Sequence, residues 1–147
     1  MDFNDLLAGL EPADRVRILD AAHEAEFAVD ETIIEEQTEN RAIFVLLDGC
    51  VEVVGGAPTL AHPERTVSLA TLEIGNFFGE MSFLTGERPS TSVVARSHTR
   101  MLVLDHHYLA QVMQSEPALA AKFYLAVATT LAHRLGRANQ SAVDSGQ

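Results

Sequence analysis

The stretch FFGEMSFLTGERPSTSVVA, Phe77 to Ala95, sets a Gly-Glu pair, a second glycine, one Arg, one Pro and a cluster of hydroxyl residues between two apolar runs. Glycine lets a backbone turn sharply or approach another group closely. Backbone N–H groups at the start of a short helix, joined by one Arg, are the donors that a small anion wants. The segment therefore has the residue types of an anion-holding turn, and what lies on either side decides which fold carries it.

On both sides the chain is written in short β-prone runs bounded by turn residues: ETIIEE (31–36), AIFVLLD (42–48), CVEVVG (50–55), TVSLATL (66–72), NFFGEMS (76–82), TSVVARS (91–97) and RMLVLD (100–105). Many short strands at close spacing predict a mainly β fold, a compact barrel or roll, with flanking helices. Asp48-Gly49 most readily supplies positive φ in a two-residue loop, so a hairpin is expected between AIFVLLD and CVEVVG. Residues 55–66, GGAPTLAHPERT, have no usable period and read as a flexible connection. Cys50 reads as a small buried apolar residue of its strand.

Helical patterns flank the β-rich region. Val16, Leu19 and Ala22 recur at helical spacing and Pro12 suits a first turn, which predicts two short helices, Asn4–Ala8 and Pro12–Ala22. After RMLVLD, Asp105 can cap HHYLAQVMQ, and Ser115-Glu116-Pro117 opens a longer helix reaching about Asn139. One domain is expected, with N-terminal helices over 1–26, the β region over 27–105, C-terminal helices over 106–140 and a fraying tail over 141–147. In the last helix Leu119, Phe123, Val127, Leu131 and Leu135 fall four apart, while Tyr124, Leu125, Ala126 and Ala128 make its middle apolar nearly all round. Such a helix is covered on both faces, either within its own domain or by the same helix of a second subunit in a homodimer.

Composition narrows the function. With 147 residues, 47% hydrophobic and 21% charged, the chain suits a soluble globular domain, and it has no apolar run long enough for a membrane span. An acidic start and a lone cysteine make a cytoplasmic location the expectation. The net charge is −11, and residues 1–52 carry 14 acidic and 3 basic side chains. With one Lys, Lys122, the chain is a poor partner for DNA or RNA, whose binding rests on Lys and Arg neutralising phosphates. The doublet His106-His107, with His98 and His62, invites a metal reading, but neighbours at a helix start do not face one point and no H-x-H pair lies in a predicted strand. Cys50 has no His or Lys beside it in sequence. No catalytic residue, metal ligand or cofactor is expected.

The order of two short helices, a β-roll with a late Gly-Glu turn, then a short and a long helix resembles the cyclic nucleotide-binding domain of catabolite activator proteins, kinase regulatory subunits and gated channels. Phe78-Gly79-Glu80-Met81-Ser82-Phe83-Leu84 is similar to the F-G-E-[LM]-[AS]-L-L opening of that family's phosphate-binding cassette, with Gly49, Gly75 and the ending SVVA as supporting matches. The resemblance implies a double-stranded β-helix, a jelly-roll-like roll of about eight strands, and a ligand such as cyclic AMP or cyclic GMP. Glu80 would then accept from the ribose 2′-hydroxyl, while Gly79, Met81 and Ser82 would offer backbone to the phosphate. Arg134, Leu135, Arg137 and Asn139 would serve as a lid over the base.

One departure stands out. The family commonly ends the cassette P-R-x-A-T-V-x-A, and counting back from Ala95 puts Pro89 in the Arg position. Arg88 stands one residue early, which along an extended segment starts its side chain toward the opposite side. A bidentate charge-assisted contact is worth about 1.5–3 kcal/mol, so its loss weakens binding by roughly one to two orders of magnitude. Arg88 swinging back, or the hydroxyls of Ser90, Thr91 and Ser92, could compensate. Two readings stay open: a sensor that signals to a partner protein through its last helix, and a degenerate roll that serves as an interaction or dimerisation module.

Overall fold

The computed structural model describes residues 3–56 and 67–145. Helices α1 (Phe3–Ala8) and α2 (Pro12–Asp20) lead into β1 (Ala22–Phe27), β2 (Thr32–Ile34), β3 (Ala42–Asp48), β4 (Val51–Gly55), β5 (Val67–Leu72) and β6 (Phe77–Phe78). Helix α3 (Glu80–Thr85), β7 (Ser92–Ala95), β8 (Thr99–Asp105), α4 (His106–Ser115) and α5 (Pro117–Ser145) complete the order. Two four-stranded antiparallel sheets, β1-β8-β3-β6 and β2-β7-β4-β5, make the expected roll.

Strand β3 explains the layering. Successive side chains point to opposite faces, and in AIFVLLD both faces are covered. Ile43 and Val45 join Phe77, Leu104, Phe123 and Val127 under the helices, whereas Phe44 and Leu46 join Val51, Phe78, Val93 and Met101 between the sheets. A strand buried on both sides reads as a continuous apolar run, as this one does.

The Asp48-Gly49 expectation needs correcting. Gly49 has φ of 108°, as a tight turn demands, but β3 pairs with β6 and β8 while β4 pairs with β5 and β7. The turn hands the chain from one sheet to the other instead of closing a hairpin. A Cβ at Gly49 would lie 2.7 Å from the carbonyl oxygen of His98 and from Thr99 Oγ1, so the crossing is built on the closeness of a neighbouring turn. Cys50, just after it, is exposed and not buried as expected; its N–H donates to Ser97 Oγ at 2.9 Å.

Element boundaries move for identifiable reasons. AHEAEF forms β1, paired along β8 from Ala22↔Leu104 to Phe27↔Thr99, so the roll begins at Ala22 and not at Phe27, and α2 ends at Asp20. This is an edge strand, and its charged, alanine-containing composition is what edges tolerate. In α2 the buried residue is Ile18, while Val16 is 57% exposed, so the inward face is rotated from the one expected. NFFGEMS is strand only at Phe77–Phe78, because Gly79 turns the chain into α3. Helix α4 starts where predicted, Asp105 Oδ1 accepting from the His107 N–H at 3.0 Å. Helix α5 runs on to Ser145, past Asn139 and into the tail expected to fray. Its inward stripe is Leu119, Phe123, Val127 and Thr130, while Leu135 is 63% exposed. Residues 57–66 of the expected flexible connection lie outside the described residues.

Two glycine substitutions should move stability in opposite directions. Gly49→Ala places a Cβ at positive φ against backbone and should destabilise by about 1–3 kcal/mol. Gly136, within α5, has nothing within 4 Å of an added Cβ, so Gly136→Ala should stabilise by about 0.5–1 kcal/mol. Urea denaturation midpoints of the two variants check both signs.

Candidate functional site

The turn after β6 is fixed by backbone geometry. Gly79 has φ of 87°, and a Cβ there would sit 2.5 Å from the carbonyl oxygen of Ala42 at the start of β3. That oxygen also accepts from Asn40 Nδ2 at 3.1 Å. Only glycine fits, and its left-handed conformation aims the first turn of α3 at the gap between the sheets. A second left-handed glycine, Gly86 with φ of 74°, ends the helix and releases the chain into residues 87–91.

Between the α3 turn and that connection lies a cavity of about 250 Å³. Ile34, Val53, Leu72, Phe78 and Val93 form apolar walls, Gly79 to Ser82 one rim and Pro89 to Thr91 the other, and Arg134 enters from α5. Phe78 is held by a stacked contact with Phe44, ring centroids 5.4 Å apart. Among the described residues the side chains of Ser82, Ser90 and Thr91 make no hydrogen bond to protein. The first N–H groups of a helix likewise lack intrahelical acceptors, and those of Met81 and Ser82 belong to this rim.

Glu80 and Arg134 are the charged groups lining the cavity. Arg134 Nη1 donates to Glu80 Oε1 at 2.6 Å, Nη2 donates to the carbonyl oxygen of Phe77 at 2.6 Å, and the guanidinium lies 4.5 Å from the centroid of the Phe77 ring. Glu80 is 6% exposed, and its second oxygen, Oε2, is buried with no partner among the described residues. Burial raises the Glu80 pKa above the ordinary carboxylate value; Arg134 opposes the rise without cancelling it.

Of the residues singled out in the sequence, Phe78, Gly79, Glu80, Met81, Ser82, Ser90 and Thr91 come together around the cavity. Arg88 does not: it is exposed, and its Nη1 donates to the carbonyl oxygen of Gln37 at 3.3 Å. Of the four lid candidates Arg134 reaches the cavity, whereas Leu135, Arg137 and Asn139 are exposed outside it. The sequence reading missed the apolar walls and the carbonyl of Phe77. Ile34, Val53, Leu72 and Val93 each belong to a different strand of one sheet, and nothing local in sequence shows that they converge. His106 contacts Arg41 and lies edge-on to Phe83. Among the described residues no three His, Cys, Asp or Glu side chains cluster as metal ligands, and no helix is long and apolar enough to cross a membrane.

The family model described as "Cyclic nucleotide-binding domain" matches residues 24–116, a span holding most of the roll and both glycines of the turn. The chain belongs to the cyclic nucleotide-binding domain family. It is 36% identical over 86 residues, 56% of its length, to Cyclic GMP-binding protein D of Dictyostelium discoideum, and spans 7% of that relative. Among solved structures, a cyclic nucleotide-binding domain from Methylobacillus flagellatus superposes with a TM-score of 0.81 at 20% identity, covering 97% of this chain and 83% of the other. The Thermus thermophilus Catabolite Activator Protein gives 0.73 at 25% identity, covering 94% of this chain and 61% of the other. The β-roll with flanking helices is thus the architecture of the family, a regulatory one that is typically non-enzymatic.

A buried carboxylate whose pKa is raised holds its proton longer in the folded than in the unfolded chain, so its contribution to stability is full below the unfolded value and is lost as pH rises through the folded one. Stability should therefore fall with rising pH through that window, and Glu80→Gln should remove this part of the slope. Arg134→Ala, which leaves the carboxylate without its cation, should cost about 3 kcal/mol at neutral pH, the low end for breaking a buried pair because Arg134 is partly exposed. Its deficit should shrink at acid pH, where a proton takes over from the cation. Urea denaturation from pH 5 to 8 reads all three effects.

Proposed function

We propose that this domain is a ligand-sensing regulatory module that takes cyclic AMP or cyclic GMP into the cavity and signals through α5 to a partner protein. The reading is carried by Glu80 Oε2, a buried acceptor without a donor in a cavity of the cyclic nucleotide-binding fold. A ribose 2′-hydroxyl would supply that donor, which also distinguishes a ribose from a deoxyribose ligand. The exocyclic phosphate oxygens would meet the first-turn N–H groups of α3 and the hydroxyls of Ser82, Ser90 and Thr91, and the apolar walls suit the base. The name of the Dictyostelium relative points to cyclic GMP, and the nucleotide is left as either of the two.

Signalling follows from where the cation sits. Arg134 belongs to α5, so whatever it binds in the cavity bears on the position of that helix. A ligand shifts such an equilibrium only by its difference in affinity between the two positions.

A second reading, that the roll binds no nucleotide and serves as an interaction module, is favoured by Pro89 and by the turning away of Arg88. Both readings share one surface. Ala121, Leu125, Ala128, Ala132 and Leu135 are exposed on α5 at spacings that alternate four and three, the repeat of a two-stranded helical seam. We infer a homodimer along this seam.

Titration calorimetry of cyclic AMP and cyclic GMP into protein stripped of carried-over ligand should give saturable binding at micromolar or tighter Kd. Arg134→Ala should weaken it by about one to two orders of magnitude, and Arg88→Ala should leave it unchanged. Affinity lost in the Arg88 variant but kept in the Arg134 variant would refute the assignment of the cation; no heat at millimolar ligand would leave the interaction module standing. Sedimentation should show a dimer that Leu125→Glu with Leu135→Glu converts to monomer.

A further inference from the structure

Among the residues lining the cavity the charges balance, one guanidinium against one carboxylate. Arg134 spends one N–H on Glu80 and one on the Phe77 carbonyl. The position from which the roll itself would offer a second cation is Pro89, and Arg88 is committed to Gln37 outside the cavity. A cyclic phosphodiester adds one negative charge that persists at every pH near neutrality. Loaded, the site would hold two anions and one cation.

We infer that Arg134 is shared between Glu80 and the phosphate, and that an anionic ligand therefore enters this cavity together with a proton, which Glu80 takes up. The inference rests on the reading of the site as one for a cyclic nucleotide.

Two like charges that share one counter-ion in a water-poor site do not both stay ionised, and the group that can accept a proton does so. The phosphodiester cannot at these pH values; Glu80 can. Among the described residues its surroundings offer no second cation. Arg134 pairs with it from α5, and the other residues lining the cavity, Ile34, Phe78, Pro89, Ser90 and Thr91 among them, bring no further titratable group. Among the described residues Arg134 is the side chain whose charge acts on Glu80. Glu73 and Glu87, the nearest acids in sequence, are both exposed. Protonated, Glu80 keeps an acceptor oxygen and gains a donor for the ligand, so the unpartnered Oε2 becomes useful in either direction.

The outcome is a sensor whose affinity for its ligand falls as pH rises. Between the pKa of Glu80 in the empty site and its higher pKa in the loaded one, Kd should weaken toward tenfold per pH unit.

The test is calorimetry of cyclic AMP and cyclic GMP from pH 6 to 8, each pH in two buffers of different ionisation enthalpy, on the wild-type protein and on Glu80→Gln, with thermal melts confirming that the variant is folded. The wild type should take up a fraction of a proton, up to one, per ligand bound, with Kd rising with pH. Whatever affinity the Glu80→Gln variant retains should come without proton uptake and without the pH slope. Binding with no proton uptake in the wild type, or a pH slope that persists in Glu80→Gln, would overturn the inference while leaving the nucleotide reading intact. Absence of binding by both proteins at every pH would take down the nucleotide reading and the inference with it.

Discussion

Arg134 joins three elements, α5, the first turn of α3 through Glu80, and the backbone of β6 through the Phe77 carbonyl. The N-terminal half of α5 is anchored by ordinary burial, with Leu119, Phe123 and Val127 in the helix-side core and Phe123 against the edge of Phe83. Beyond Leu131 the described side chains from 132 to 140 are exposed apart from that of Arg134. Arg134, through Glu80 and the Phe77 carbonyl, ties the far half of a 29-residue helix to the roll. A buried ion pair is weak as a source of net stability because both ions lose water, but it is specific in geometry, and it fixes where this helix lies.

The pair can form because Gly79 brings the start of α3 against β3 at a distance no Cβ allows. The same turn buries Glu80 at the head of a short helix, with one of its oxygens left without a partner among the described residues. One backbone constraint therefore produces the cavity rim, the buried carboxylate and the docking point for α5. In the proposed function those are the parts that hold the ligand and the part that responds to it.

The fold was largely legible because its strongest signals are local. Runs such as AIFVLL and RMLVLD announce strands, Pro12, Asp105 and Pro117 mark helix starts, and FGEMSFL marks the turn. The failures have physical causes. The Asp48-Gly49 dipeptide reports positive φ correctly, but φ does not say which strand the next one pairs with, and here the chain changes sheets. AHEAEF hides as a strand because an edge needs few β-branched residues. Leu135 carries the helical spacing of the core stripe, yet α5 has by then run past the core that would cover it. At the site the rim was readable because it is one contiguous segment. Arg134 could be listed as a lid residue, but its partnership with Glu80 joins positions 54 residues apart.

Placing the cation on α5 instead of on the roll changes what binding can do. A cation at position 89 would contribute to affinity whatever the helix did, and ligand and helix would be coupled only through the base. With Pro89 in that place and Arg134 supplying the charge, affinity and helix position would, in the proposed function, become one equilibrium. A phosphate drawing on Arg134 would be bound well when the helix is near, and Glu80 or the phosphate would hold the helix there. Linkage then requires that the ligand strengthen the helix contact by the same factor by which the helix contact strengthens ligand binding. A partner or second subunit that pulled the exposed face of α5 away would expel the ligand, and the ligand would oppose that partner. In the proposed function, the Pro89 that looks like decay of the cassette would couple the cassette more tightly to its output.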